Sequence, residues 1–216
     1  MNTLQKNHSA ASPERLFRLT DGIYAISMVI FIVTGMLTVQ DGKFLIAIES
    51  DPMKFLTDRA YEFLLSFLVF LFLALYWYNN VRITKYLVKV DSTYLWINIF
   101  YLFFIAVAPF PNAMSITHGN LLHVQLFFGI VMFFIGFLSF CSWVYASKNH
   151  RLINHDISRD DITALTLELL VEPTVALISI MASLISTAWW EPSLLLLPVG
   201  IVIVSLIKKR QGKKSS

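Results

Sequence analysis

Apolar residues in this chain run in long, nearly charge-free stretches separated by short charged clusters. A helix needs about 20 mostly apolar residues to cross the hydrocarbon of a bilayer. Lipid cannot satisfy free backbone groups, so such stretches must be helical. The gaps between charges predict an all-α membrane protein with six spans, at residues 19–39, 63–81, 94–113, 121–146, 173–190 and 192–207. Pro109 and Pro111 are expected to end or kink the far part of the third span. The sixth span is the shortest and carries Pro198. Residues 41–61, with Asp41, Glu49, Asp51 and Asp58, read as an external loop. Residues 157–171 alternate acidic and apolar positions at helical spacing; they read as a cytoplasmic amphipathic lead-in to the fifth span, with a partner-binding helix as the alternative. Residues 1–216 form one domain, with a polar tail over 1–14 and a basic tail over 208–216.

Composition supports the bilayer. The 216 residues are 56% hydrophobic and 14% charged, against about 25% charged in a soluble domain. Mean hydropathy is +0.66. A soluble monomer and an intrinsically disordered chain are both excluded on this balance. A net charge of +3 and a pI near 9.0 would point to nucleic acid in a soluble protein; here they reflect loop charge. If both termini are cytoplasmic, 14 of the 17 basic residues fall on the cytoplasmic side, leaving only Lys43, Lys54 and Arg59 outside. That asymmetry follows the positive-inside rule and requires an even number of spans. The tryptophans Trp77, Trp96, Trp143, Trp189 and Trp190 fall mostly near span ends, as interfacial tryptophans do. The single cysteine, Cys141, sits in an apolar run and reads as a small buried hydrophobe.

Catalytic apparatus is missing. The chain has no Walker loop, no HExxH and no paired-cysteine site. The five histidines show no ligand spacing on one helix face and read as surface residues. The spans offer few polar groups at depth beyond hydroxyls and some asparagines. The expectation is a protein that is not an enzyme, with no cofactor, no small-molecule substrate and no metal beyond a permeating ion. An ionisable residue inside a span is a functional hypothesis by default, and Asp21 enters the start of the first span. Thr20 can cap there, and Arg15 and Arg18 are within reach of the Asp21 carboxylate. Chemistry alone leaves two readings open, a functional group or a helix start at the headgroups.

The segment Arg15-Leu16-Phe17-Arg18-Leu19-Thr20-Asp21-Gly22-Ile23-Tyr24-Ala25-Ile26 resembles the signature R-x-x-x-F-S-D-G-V-F-A-I of the transmembrane protein 175 type potassium channels. Leu95-Trp96-Ile97-Asn98, followed by Pro109-Phe110-Pro111, is similar to that family's L-W-x-N…PFP segment. The resemblance implies a prokaryotic single-repeat member in the cell membrane. It implies a homotetramer whose central pore is lined by the first helix of each subunit, and potassium leak conduction without a voltage sensor. It places the hydrophobic constriction at Ile26, with Ile30 and Val33 beyond it. Gly22, Val29, Thr34 and Leu37 are further lining candidates. Arg15, Thr20, Asp21, Trp96 and Asn98 would form a structural network holding the cytoplasmic ends of spans one and three in register. Three departures from the family stand out: Leu19 and Thr20 replace Phe and Ser, Val29 replaces a threonine, and Asn79 with Asn80 stand near a family histidine.

Helix geometry permits such a throat independently. Ile26, Ile30, Val33 and Leu37 are four, three and four residues apart and form one stripe. A ring of such stripes would close by dewetting. Packing of the stripe against a neighbouring helix is the alternative. Two rival functions stay open: a small secondary transporter, for which only the prolines offer broken-helix elements, and a non-conducting membrane scaffold.

Overall fold

The structure is a computed structural model and describes residues 13–37, 52–58 and 60–212. Its elements are helices α1 (Pro13–Leu37), α2 (Pro52–Asp58), α3 (Ala60–Lys85), α4 (Ser92–Val107), α5 (Pro109–His118), α6 (Leu122–Ser147), α7 (Arg159–Ile185), α8 (Trp190–Leu194) and α9 (Leu196–Gly212). Single 3-10 turns at Lys148–His150 and Thr187–Trp189 complete the described segments. Five of those segments are long and apolar enough to cross a membrane: Pro13–Val33, Ser92–His118, Leu122–His150, Arg159–Ile185 and Thr187–Val204. The second predicted span lies inside α3, a helix of 26 residues.

Several boundaries differ from the sequence reading. The loop expected over 41–61 contains α2, and α3 begins at Ala60; residues 38–51 lie outside the described chain. The lead-in at 157–171 is continuous with the fifth span, so one 27-residue helix replaces two elements. Ser158 starts it by accepting from the Asp161 amide, and Pro173 sits inside it. The helix stops at Ile185 because Ser186 is extended, so Trp189 belongs to the following 3-10 turn and Trp190 opens α8. The third span divides into α4 and α5 at Ala108, which keeps helical dihedrals. Pro109 and Pro111 have no N–H to donate to the carbonyls four residues back. Pro13 and Glu14, assigned to the tail, are already helical.

The core falls into two clusters along the helices. One gathers Leu16 of α1, Ile83 of α3, Tyr94 of α4, Trp143 of α6 and Leu165 of α7 with Val90, Leu152 and Ile153. These are the beginnings of α1, α4 and α7 and the ends of α3 and α6, so successive long helices run up and down. The second cluster holds Tyr24, Phe31, Tyr76, Tyr101, Ile135, Ala176 and Trp190. Trp143 and Trp190 are therefore core residues, while Trp77, Trp96 and Trp189 are exposed. Cys141 is half-buried. The largest helix–helix seam joins α6 to α7. There an added Cβ on Gly136 would meet the Pro173 nitrogen at 2.8 Å, so only glycine admits this approach.

Candidate functional site

α1 has two unlike faces, and the sequence period sets both. Leu16, Thr20, Tyr24, Ser27 and Phe31 recur at three- and four-residue intervals and are buried. They pack α1 against α3, α4 and α5. The opposite arc is apolar and open. Ile26 is 62% exposed and Val29 59%, with Ile30, Ile32 and Val33 also exposed. Gly22 lies on the same arc, and nothing stands within 4 Å of where its Cβ would be. The Ile26–Ile30–Val33 stripe does not wedge into its own subunit. The side chains of Thr34 and Leu37 lie outside the described residues.

The proposed signature network is divided among several partners. Asp21 is the ninth residue of α1, which starts at Pro13. It is too far from the helix start for free amides or the dipole to act on it. Its Oδ1 accepts instead from Trp77 Nε1 of α3 at 3.0 Å. Among the described residues no ion pair joins Asp21 to Arg15 or Arg18. Thr20 donates to the Leu16 carbonyl at 2.9 Å within its own helix, so it is not a cap. Asn98 is buried and donates to the Tyr94 carbonyl at 3.0 Å. Trp96 is exposed beside Phe100. Arg15 is exposed as well. The contact between spans one and three that these residues were expected to supply runs instead through Tyr24 and Tyr101, whose hydroxyls hydrogen-bond to each other.

Behind the buried face lies a polar group that the sequence reading placed at a span border. Glu172 sits in the middle of α7, 3% exposed. Asn79 Nδ2 of α3 donates to its Oε1 at 2.6 Å, and its Oε2 has no hydrogen-bond partner among the described residues. Tyr24, Tyr76 and Tyr101 share a core cluster with Ala176, one turn further along α7. So Asn79, noted only as a departure from a family histidine, tethers α3 to α7. The signal was present: Leu165, Leu169, Glu172, Ala176, Ser179 and Ser183 are spaced at four and three and are all buried. That stripe runs through Glu172 without a break. Next to it, Arg82 of α3 pairs with Glu168 of α7.

Among the described residues no group of three or more His, Cys, Asp or Glu is placed to hold a metal ion. His118, His123 and His155 are exposed and His150 is half-buried.

Residues 15–109, a little under half of the chain, match the model of the family described as the endosomal/lysosomal potassium channel TMEM175. The matched stretch contains the whole Arg15–Ile26 motif and the second motif as far as Pro109, so the resemblance read from those residues is borne out. None of the curated proteins matches the chain. Among solved structures, the chain is similar to a homolog, from Chamaesiphon minutus, of the lysosomal potassium-selective channel TMEM175. That likeness has a TM-score of 0.66 at 19% identity and covers 91% of this chain and 97% of the other. The fold of the two is the same.

Proposed function

From the premise that residues 15–109 carry TMEM175-family sequence on a TMEM175-like fold, we propose that this protein is a potassium-permeable, leak-like channel of the cell membrane without a voltage sensor. Four copies place α1 around a shared axis. Ile26 forms the constriction and Ile30 and Val33 extend it. Gly22, Val29, Thr34 and Leu37 are further lining positions. The observation that carries the reading is the exposed apolar arc of α1 inside the family-matched segment. At 100° per residue that arc extends from Ile30 past Ile26 and Val29 to Ile32. It is wide enough to serve a throat on one side and a neighbouring subunit on the other.

The same packing supports six spans with both termini cytoplasmic. α3 supplies a sixth crossing. α9 runs antiparallel to α7, since an added Cβ on Gly200 would meet Val171 while Leu196 shares an apolar cleft with Ile178 and Ala182. The described chain thus starts and finishes at one end of the bundle, and loop charge assigns that end to the cytoplasm. Of the Arg15, Thr20, Asp21, Trp96 and Asn98 set, Asp21 then joins α1 to α3 through Trp77, while Thr20 and Asn98 bond within their own helices.

Potassium flux from liposomes tests the proposal. Wild type is expected to conduct weakly, and Ile26→Asn, which wets the throat, to conduct several-fold more. A second check is Ile26→Cys, expected to cross-link between subunits under oxidation. No flux from wild type and Ile26→Asn, with no intersubunit cross-link, overturns the channel reading.

A further inference from the structure

At the end of the bundle where α6 stops, a cleft of about 610 Å³ is lined by Lys89, Tyr145, Lys148, His150, Arg151 and His155. Two connections build it, and each pins the other. The Val88 amide donates to the Leu152 carbonyl at 2.9 Å, and the Asn154 amide to the Tyr86 carbonyl at 3.1 Å. Leu152 and Ile153 are buried beneath. Asp91 orients one wall: it accepts from Tyr145 Oη at 2.7 Å and pairs with Arg151 Nε at 3.4 Å. Arg151 also lies 4.6 Å over the Tyr145 ring. Asp91 offsets one cation, and Lys89 and Lys148 are exposed with no ion pair among the described residues. The His150 and His155 rings stack at 5.4 Å, and His150 Nε2 is buried with no hydrogen-bond partner among the described residues. Asn149 and His150 both hold positive φ, 54° and 52°. Two consecutive non-glycine residues in that region are strained and persist only where surrounding structure holds them, as it does around ligand sites.

We propose that this cleft binds a phosphate-bearing anion. The Arg151 guanidinium and the Lys89 and Lys148 ammonium groups all belong to residues lining a volume that fits a headgroup-sized ligand. The site lies just past the last turn of α6, a segment long and apolar enough to span a membrane, and basic pockets at span ends bind anionic lipid headgroups. A lipid phosphate and a soluble phosphate ester share this chemistry. The proposal is independent of conduction, because its readout is bound mass.

The test is native mass spectrometry of the full chain in detergent, with dioctanoyl phosphatidic acid set against dioctanoyl phosphatidylcholine. Wild type is expected to retain the phosphatidic acid selectively. Lys89→Gln with Lys148→Gln should weaken retention about tenfold. Lys85→Gln with Arg159→Gln, which removes two charges from the same end but outside the cleft, should leave it unchanged. Equal retention of both lipids, or equal loss in the two double variants, overturns the site. If the Lys89 and Lys148 variant fails a thermal-melt check, His155→Phe takes its place; it is expected to weaken retention several-fold, and unchanged retention overturns the site. Displacement by glycerol 1-phosphate upholds the site and assigns it to a soluble ester, and resistance to displacement upholds it and assigns it to lipid.

Discussion

The α6–α7 seam and the outer arc of α1 are both apolar, and they differ in side-chain size. Along the seam, glycine recurs on α6: Gly129 and Gly136 are buried, and an added Cβ there would meet Ile180 and Pro173 of α7. The α1 arc carries Ile26, Val29, Ile30, Ile32 and Val33, all open. Lipid tails are as apolar as leucine, so hydrophobicity cannot sort buried from exposed positions inside a bilayer. Close packing can, and it needs small residues. The seam is therefore where the subunit is held together. The arc is surface left over for something outside the subunit.

Substitutions should separate the two regions by their effect on folding. Trp143→Ala comes first. Its indole is wholly buried and donates to Thr166 Oγ1 at 3.0 Å, and loss of such a side chain costs about 3–5 kcal/mol. A large fall in melting temperature in detergent is expected. Gly136→Leu should follow, at about 3 kcal/mol or less from overpacking against Pro173; unchanged melting would mean the seam is looser than described. Asp91→Asn is smaller and depends on pH. Burial raises the Asp91 pKa, but the Tyr94 amide, the Tyr145 hydroxyl and Arg151 outweigh that, leaving it lowered. A carboxyl with a depressed folded-state pKa contributes stability above its unfolded pKa and loses it as pH falls through the folded value. Wild type should thus lose stability on acidification below the ordinary carboxylate range, and the Asn variant should lose less over that window. Ile26→Asn ranks last, within about 0.5 kcal/mol of wild type in melting, although its flux should change most. A strongly destabilised Ile26→Asn would move the arc into the subunit and erase the contrast.

The long helices were legible in the sequence because spans are set by length and absence of charge. Their ends were less so. Glu172 looked like a border because a carboxylate interrupts an apolar run, yet it is buried where Asn79 meets it; pairing across helices is invisible to a rule that counts charges along one. Asp21 looked like a helix start for the same reason, while Pro13, a residue suited to the first turn, marked the true one. Trp143 and Trp190 illustrate the limit on the other side. Position near a span end identifies the interface on average, but a tryptophan there also fills a core when a neighbour receives its ring, as Phe128 does for Trp190. The exposed arc of α1 was readable as a stripe at three- and four-residue spacing. Which object it faces was not, because periodicity describes one helix and a pore belongs to several subunits.

The isolated bridge between Leu87 and Ile153 has a mechanical consequence. It fastens the turn after α3 to the turn after α6, so four helices share one clasped end. The opposite ends of those helices meet no such bridge among the described residues. Rearrangement within a subunit should then behave as levers swinging from that clasp, with displacement growing toward the far side of the membrane and the charged cleft staying nearly still.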